Sequence, residues 1–405
     1  MNFFPPDMVE IDWSLAKGFT HDYYFDTTVG DFVMGPLRDD RGPFTHDLLN
    51  PTPVIGPDNV FWGYFNGTHI NYPPVGPSGW GSGHGTHVQS IITGWKLERD
   101  QEFWVRGVAP KVTIIPVLVL DDWLIVDDGT YGGYIWVDRG GTDEMVAAGI
   151  TYIGDLADEL GIKIIINMSL GGDSPSPMIE DAIDYAISKG VIVIASAGNT
   201  GYAGMDWPGA YPQVISVAAA GWTQEYLRYY TGEPDPWYWW TDDVPERLWT
   251  EDPLGNEFQI YLTDFSSRPN PELGQEPYHL DVSAPGAAVR GPYKDYGPTL
   301  SGYYCVWGTS QAAPHVAGIA ALMLDKCPTM KQMKIEIVMK LAGLFNRLTK
   351  WFETERSATI FDIFSSDLLE QTWLREDYGT GLLQADVALM LTWCRRASAH
   401  SLGHS

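Results

Sequence analysis

The chain of 405 residues predicts an α/β fold of three layers, a mainly parallel central sheet with helices on both faces, and three observations carry that prediction. Short apolar runs of the kind that form fully buried strands recur at Val112 to Leu120, Ile162 to Met168, Val191 to Ser196 and Val214 to Ala218. Between them lie segments of helical periodicity, Glu144 to Leu160 and Ser176 to Lys189, so strand and helix alternate as a parallel sheet requires. The length suffices for a large core, and one domain with insertions accounts for it as well as two domains would.

The elements follow in chain order. Met1 to Glu10 lacks a basic start and an apolar core, and no run of eighteen apolar residues occurs, so neither a signal peptide nor a membrane span is visible. Tyr24-Phe25-Asp26-Thr27-Thr28-Val29 reads as a strand, and Arg38-Asp39-Asp40-Arg41 as a solvated turn. In Gly83-His84-Gly85-Thr86-His87-Val88 the histidine is followed by Val88, Ile91, Ile92 and Trp95 at helical spacing, which puts His84 at a helix start flanked by glycines. Val191 to Ser196 runs into Ala197-Gly198-Asn199, a loop that can present an amide at the sheet's edge. Gly308-Thr309-Ser310-Gln311-Ala312-Ala313-Pro314-His315 hands a glycine turn over to a small-residue helix, with Pro314 expected inside its first turn, where a missing N–H costs little.

Two stretches interrupt this order. Residues 121–142 are rich in Asp, Gly and aromatics; Asp121, Asp122, Asp127 and Asp128 there fit a calcium loop and a solvated acidic loop equally. Residues 221–263 contain Trp237-Tyr238-Trp239-Trp240, which fits either an exposed platform for a sugar or peptide or a loop folded back on its own aromatics. One domain is expected over residues 1–391, with residues 392–405 as a tail.

Composition excludes some classes. A net charge of −27, from 52 acidic and 25 basic residues, argues against nucleic acid and anionic membranes as partners. The 3 cysteines, Cys305, Cys327 and Cys394, cannot all pair within the chain, which speaks against a disulfide framework. Cys305 is expected to act as a small buried apolar group.

Ser310 is the residue that invites chemistry. Its hydroxyl lies near the positive end of a helix dipole, yet a serine is a weak nucleophile until a neighbouring base takes its proton. His84 offers the base and Asn199 a hydrogen-bond donor. Each has an ordinary alternative: a packed core histidine, a helix cap, a loop amide. His84 and His87, at i,i+3, also have the spacing of a metal pair, but no Glu lies between them and no third ligand is evident.

Together, in the order His, Asn, Ser, these motifs resemble the subtilisin-type serine proteases. Gly107-Val108-Ala109-Pro110, Ile166-Asn167-Met168-Ser169-Leu170-Gly171-Gly172, Tyr211-Pro212-Gln213-Val214-Ile215-Ser216-Val217, Ser283-Ala284-Pro285-Gly286 and Tyr378-Gly379-Thr380-Gly381 extend the resemblance. It implies that Ser310 attacks, that His84 acts as base and then acid, and that Asn199 forms an oxyanion hole with the Ser310 backbone N–H. It implies a peptide-binding edge at Ser169, Leu170, Gly171 and Gly172, polypeptide substrates, no cofactor for the chemistry, and an extracellular or cell-surface location. Structural calcium and oligomeric state stay open. Asp206 aligns with the base of a specificity pocket, where a carboxylate would pair with Lys or Arg unless the loop turns it to solvent.

The family's Asp-Thr/Ser-Gly motif has no intact copy here, so its triad acid is Asp26 first, Asp40 second, or a residue upstream of Met1. That gap leaves a second function open, a binding-only relative with impaired catalysis. A third, an acidic-pH relative using Glu in place of His, is opposed by His84 and Asn199.

Overall fold

The computed structural model describes residues 7–26, 31–41, 83–98, 102–120, 124–127, 134–137, 141–223, 260–294, 301–344, 355–362, 365 and 367–394. The amino-terminal part holds β1 (Glu10–Ile11), β2 (Lys17–Asp26) and β3 (Asp31–Arg41), then α1 (His84–Thr93), β4 (Gly94–Glu98), β5 (Glu102–Arg106), β6 (Thr113–Ile114), β7 (Val117–Leu118) and the hairpin β8 (Leu124–Asp127) with β9 (Tyr134–Val137). The middle alternates as expected: α2 (Asp143–Leu160), β10 (Ile165–Met168), α3 (Pro177–Ser188), β11 (Ile192–Ser196), β12 (Ile215–Trp222) and β13 (Ile260–Leu262). The rest comprises β14 (Val282–Pro285), β15 (Val289–Lys294), β16 (Ser301–Val306), α4 (Thr309–Lys326), α5 (Gln332–Leu344), β17 (Glu355–Asp362), β18 (Asp367–Leu374) and α6 (Ala385–Leu391).

β10, β11, β12 and β14 pair in parallel, and β13 adds antiparallel to β12. The side chains of β11 alternate between two cores. Ile192 and Ile194 pack with α4 and α5, through Ala313, Val316, Ala320, Met323 and Ile335. Val193 and Ala195, with Val191 just before the strand, pack with α2 and α3, through Ile150, Ile153, Ile183 and Ala186. A strand buried on both faces needs apolar residues at every position, which explains the unbroken run in the sequence. Thus the three-layer fold holds.

The helices begin where local chemistry starts them. Thr142 caps α2 by accepting from Met145 N, and Ser176 caps α3 before Pro177. α2 stops at Gly161, whose φ of 65° is the left-handed conformation that favours glycine. The apolar run from Val112 splits into β6 and β7, because Pro116 between them has no N–H for a ladder. α1 ends at Thr93, so Trp95 is buried from β4 rather than from the helix.

The first insertion carries the β8–β9 hairpin, with Asp127 opposite Tyr134; Asp121, Asp122 and Asp128 lie outside the described residues. The second leaves the sheet from β12 and returns through β13; its Trp237-to-Trp240 cluster is outside the described residues too. Cys327 and Cys394 form a disulfide that ties the end of α4 to the chain just beyond α6, with Cys305 on β16 outside the bridge. An odd cysteine count allows one bridge and leaves one thiol over, as found here. Among the described residues, no helix is long and apolar enough to cross a membrane.

Candidate active site

Ser310 stands on the first turn of α4, which packs across β10, β11, β12 and β14. Gly308 offers no side-chain cap, so the helix borrows one. Asn199, in the loop after β11, accepts from Thr309 N at 2.9 Å through Oδ1, and the Thr309 hydroxyl lies 3.1 Å from that same Oδ1 and 3.1 Å from Gly198 O. These bonds hold the carbonyl end of the Asn199 amide, so its NH2 end is the one available to a ligand. Asn199 is exposed.

Pro314 is the sixth residue of α4, beyond the first turn where the sequence puts it. An ordinary residue there would donate to Ser310 O; proline has no N–H to give. Ser169 replaces it. Its hydroxyl donates to Ser310 O at 2.7 Å, Ser310 Oγ lies 3.3 Å from Ser169 O, and Asn167 Nδ2 donates to Ser169 Oγ at 3.0 Å. Ser169 thus joins the proposed peptide edge to the backbone of the residue expected to attack.

His84 opens α1 behind Gly83, as the sequence expects, and α1 packs on α4. Burial lowers the His84 pKa, which keeps it neutral and able to accept a proton at pH 7. His87 is fully buried with Nε2 3.0 Å from Val289 O, and His315 Nδ1 lies 2.9 Å from Gln311 O. Burial pushes both down to about 4. These two histidines are packing groups.

The expected acids are scattered. Asp26 ends β2 opposite Asp31, eight residues past Gly18, where the parallel pairing with β7 stops. At about 3.3 Å per residue that is roughly 26 Å along the hairpin. Asp40 lies on β3, between Arg38 opposite Thr20 and Arg41 opposite Gly18. A different aspartate occupies the end of a parallel strand: β1 pairs in parallel with β6, and Asp12 directly after it donates its N–H to Ile114 O at 2.8 Å. The Asp12 carboxylate accepts from Ser14 N at 3.0 Å and from the Ser14 hydroxyl, which lowers its pKa. Its signal in the sequence is short: alternating Val9 and Ile11, both inward in one small core, just ahead of the acid.

Asp206 lies between Gly171 and Gly198. A methyl group added at Gly198 would fall 2.5 Å from Asp206 Cγ, and one at Gly171 would fall 2.7 Å from Asp206 Cβ. The carboxylate is half-buried rather than turned to solvent. Gly172 and Trp207 exchange N–H···O bonds of 2.8 and 2.9 Å, which fasten the two sides of this cleft. Among the described residues, no group of three or more His, Cys, Asp or Glu is arranged to hold a metal ion.

This fold and this constellation define a family, and comparison agrees. The chain belongs to the subtilase family, whose description matches residues 56–355. It is 31% identical over 256 residues to a subtilisin from Bacillus sp. strain TA39, covering 62% of this chain and 49% of that protein. It is 30% identical over 295 residues to fervidolysin from Fervidobacterium pennivorans, covering 69% of this chain and 34% of that protein. The chain therefore spans half or less of the length of these relatives. Among solved structures, a protease from Pseudoalteromonas arctica superposes with a TM-score of 0.50 at 21% identity, over 97% of this chain and 88% of that one, and shares the fold.

Proposed function

We propose that the chain is a serine endopeptidase, with Ser310 as nucleophile, His84 as general base and then acid, and Asn199 as the side-chain donor to the oxyanion. The observation that carries this reading is the shared anchoring of Ser310 and Asn199. Thr309 binds the carbonyl end of the Asn199 amide, which leaves an N–H donor beside the serine where negative charge develops on a substrate carbonyl. Ser310 then forms the acyl-enzyme, and His84 returns its proton to the leaving amine. No cofactor enters this chemistry.

Asp12 is the acid that best fits the triad. It stands at the carboxyl end of a strand in a parallel pair, the end where α/β sheets gather their sites, and Ser14 keeps it ionised, as holding an imidazolium requires. Asp26 has the weaker position, at the far end of its hairpin. Ser169, Leu170, Gly171 and Gly172 form the edge along which an extended peptide docks. The Cys327–Cys394 bridge supports an oxidising compartment, hence an extracellular location.

Casein hydrolysis by the purified chain tests the reading, with Ser310→Ala and His84→Ala as controls. Hydrolysis abolished in both variants is the expected result. Hydrolysis that survives Ser310→Ala would overturn the assignment.

A further inference from the structure

Beneath the peptide edge lies a carboxylate that the reaction does not use. Asp206 sits between Gly171, on the side of Ser169, and Gly198, on the side of Asn199. Neither wall carries a side chain, and a β-carbon at Gly198 would come within 2.6 and 2.8 Å of the two carboxylate oxygens. The Gly172–Trp207 backbone pair holds the walls at a fixed separation, and Asp206 N–H donates to Ala197 O at 2.8 Å, which fixes the residue's backbone. Gly171 lies two positions beyond Ser169, whose carbonyl touches the Ser310 hydroxyl, a step that spans at most about 7 Å. Asp206, packed against Gly171, is therefore within reach of a long side chain bound at the reacting centre.

Resting on the proteolytic reading above, we propose that Asp206 sets the substrate class: peptides cleaved after arginine or lysine, whose cationic end pairs with this carboxylate. A half-buried carboxylate costs free energy unless it is paired. Among the described residues no cation neutralises it, and burial together with the neighbouring Asp173 pushes its pKa up to about 6. Asp173 is the charged group that acts on it, and its sign strengthens the demand for a cation. A basic side chain supplies the missing charge, with a charge-assisted hydrogen bond that an apolar side chain cannot offer. An apolar side chain would instead leave the carboxylate desolvated and unpaired, so discrimination works by penalty as well as by attraction.

The test compares kcat/KM for two peptides identical except for arginine or leucine on the amino side of the scissile bond, in the parent chain and in Asp206→Asn. Asparagine keeps the size and the backbone bond to Ala197 and removes the charge. The arginine-to-leucine ratio should exceed one and fall roughly ten- to a hundred-fold in the variant. It should also fall in the parent as pH drops through about 6, when Asp206 takes up a proton; titration of His84 affects both peptides alike and cancels in the ratio. Hydrolysis of both peptides with a ratio that Asp206→Asn leaves unchanged overturns the proposal and leaves the proteolytic reading standing. Where neither peptide is cut, the proteolytic reading fails instead, and equal binding of the two peptides to the intact chain would overturn the pocket as well.

Discussion

The link between Ser169 and Ser310 yields a prediction that depends on a third residue. Pro314 denies Ser310 O its helical partner, and the Ser169 hydroxyl takes that place at 2.7 Å. Ser169→Ala leaves a part-buried carbonyl without a donor and removes the acceptor of Asn167 Nδ2; about 1–2 kcal/mol of stability should be lost. In a Pro314→Ala background the new N–H can bond to Ser310 O, and the same Ser169→Ala change should cost about 1 kcal/mol less, the lost Asn167 bond being common to both backgrounds. The difference is a coupling energy of about 1 kcal/mol, and a double-mutant cycle isolates it. Denaturant unfolding of the four chains measures it, each carrying Ser310→Ala to suppress self-digestion; the carbonyl under test is backbone and survives that change. Equal cost of Ser169→Ala in both backgrounds would refute the reasoning.

Four further outcomes follow. Asn199→Ala should lower kcat with little change in KM, by about 10²–10³-fold, a magnitude known from a subtilisin oxyanion-hole donor rather than worked out for this chain; an equal loss in KM would assign Asn199 to ground-state binding. Asp12→Asn should reduce turnover by up to about ten-thousand-fold, the loss seen in another serine protease, and should move the acid limb of kcat/KM to lower pH, since the imidazolium would lose a negative partner; if Asp26→Asn has these effects instead, Asp26 is the acid. Lys340→Met should destabilise by about 3 kcal/mol, because Lys340 lies 2.5 Å from Asp281, a carboxylate 3% exposed. Burial already pushes Asp281 up to about 7; with a folded pKa above the unfolded one, the folded state holds the extra proton, so the loss should deepen as pH rises through 7, and thermal unfolding at pH 5 and pH 8 checks the sign. Reduction of the Cys327–Cys394 bridge, which closes 67 residues, should cost up to about 4 kcal/mol, visible as a lower unfolding midpoint in reducing agent.

Much of the fold was legible because a doubly buried strand leaves no room for polar residues. Ile192 to Ser196 and the α2 segment are found within a residue or two of where periodicity puts them. Ser310, His84 and Asn199 were legible for a related reason: each sits at an element's end marked by glycine. What escaped depends on distant partners. The reach of Pro314 into the second turn matters only through Ser169, which is 141 residues away from Ser310 in the chain. Asp12, the acid proposed above, follows a strand of two residues, too short for periodicity to register, and only its pairing with β6 reveals the strand. The Cys327–Cys394 bridge joins the ends of two helices whose approach no local pattern encodes.

The central claim, an activated serine at position 310, is tested most directly by treating the intact chain with a fluorophosphonate and locating the adduct by peptide mass spectrometry. One adduct on Ser310, lost in His84→Ala and in Ser310→Ala, is the predicted result. An unlabelled Ser310 in the parent chain, or labelling that persists without His84, would contradict the account.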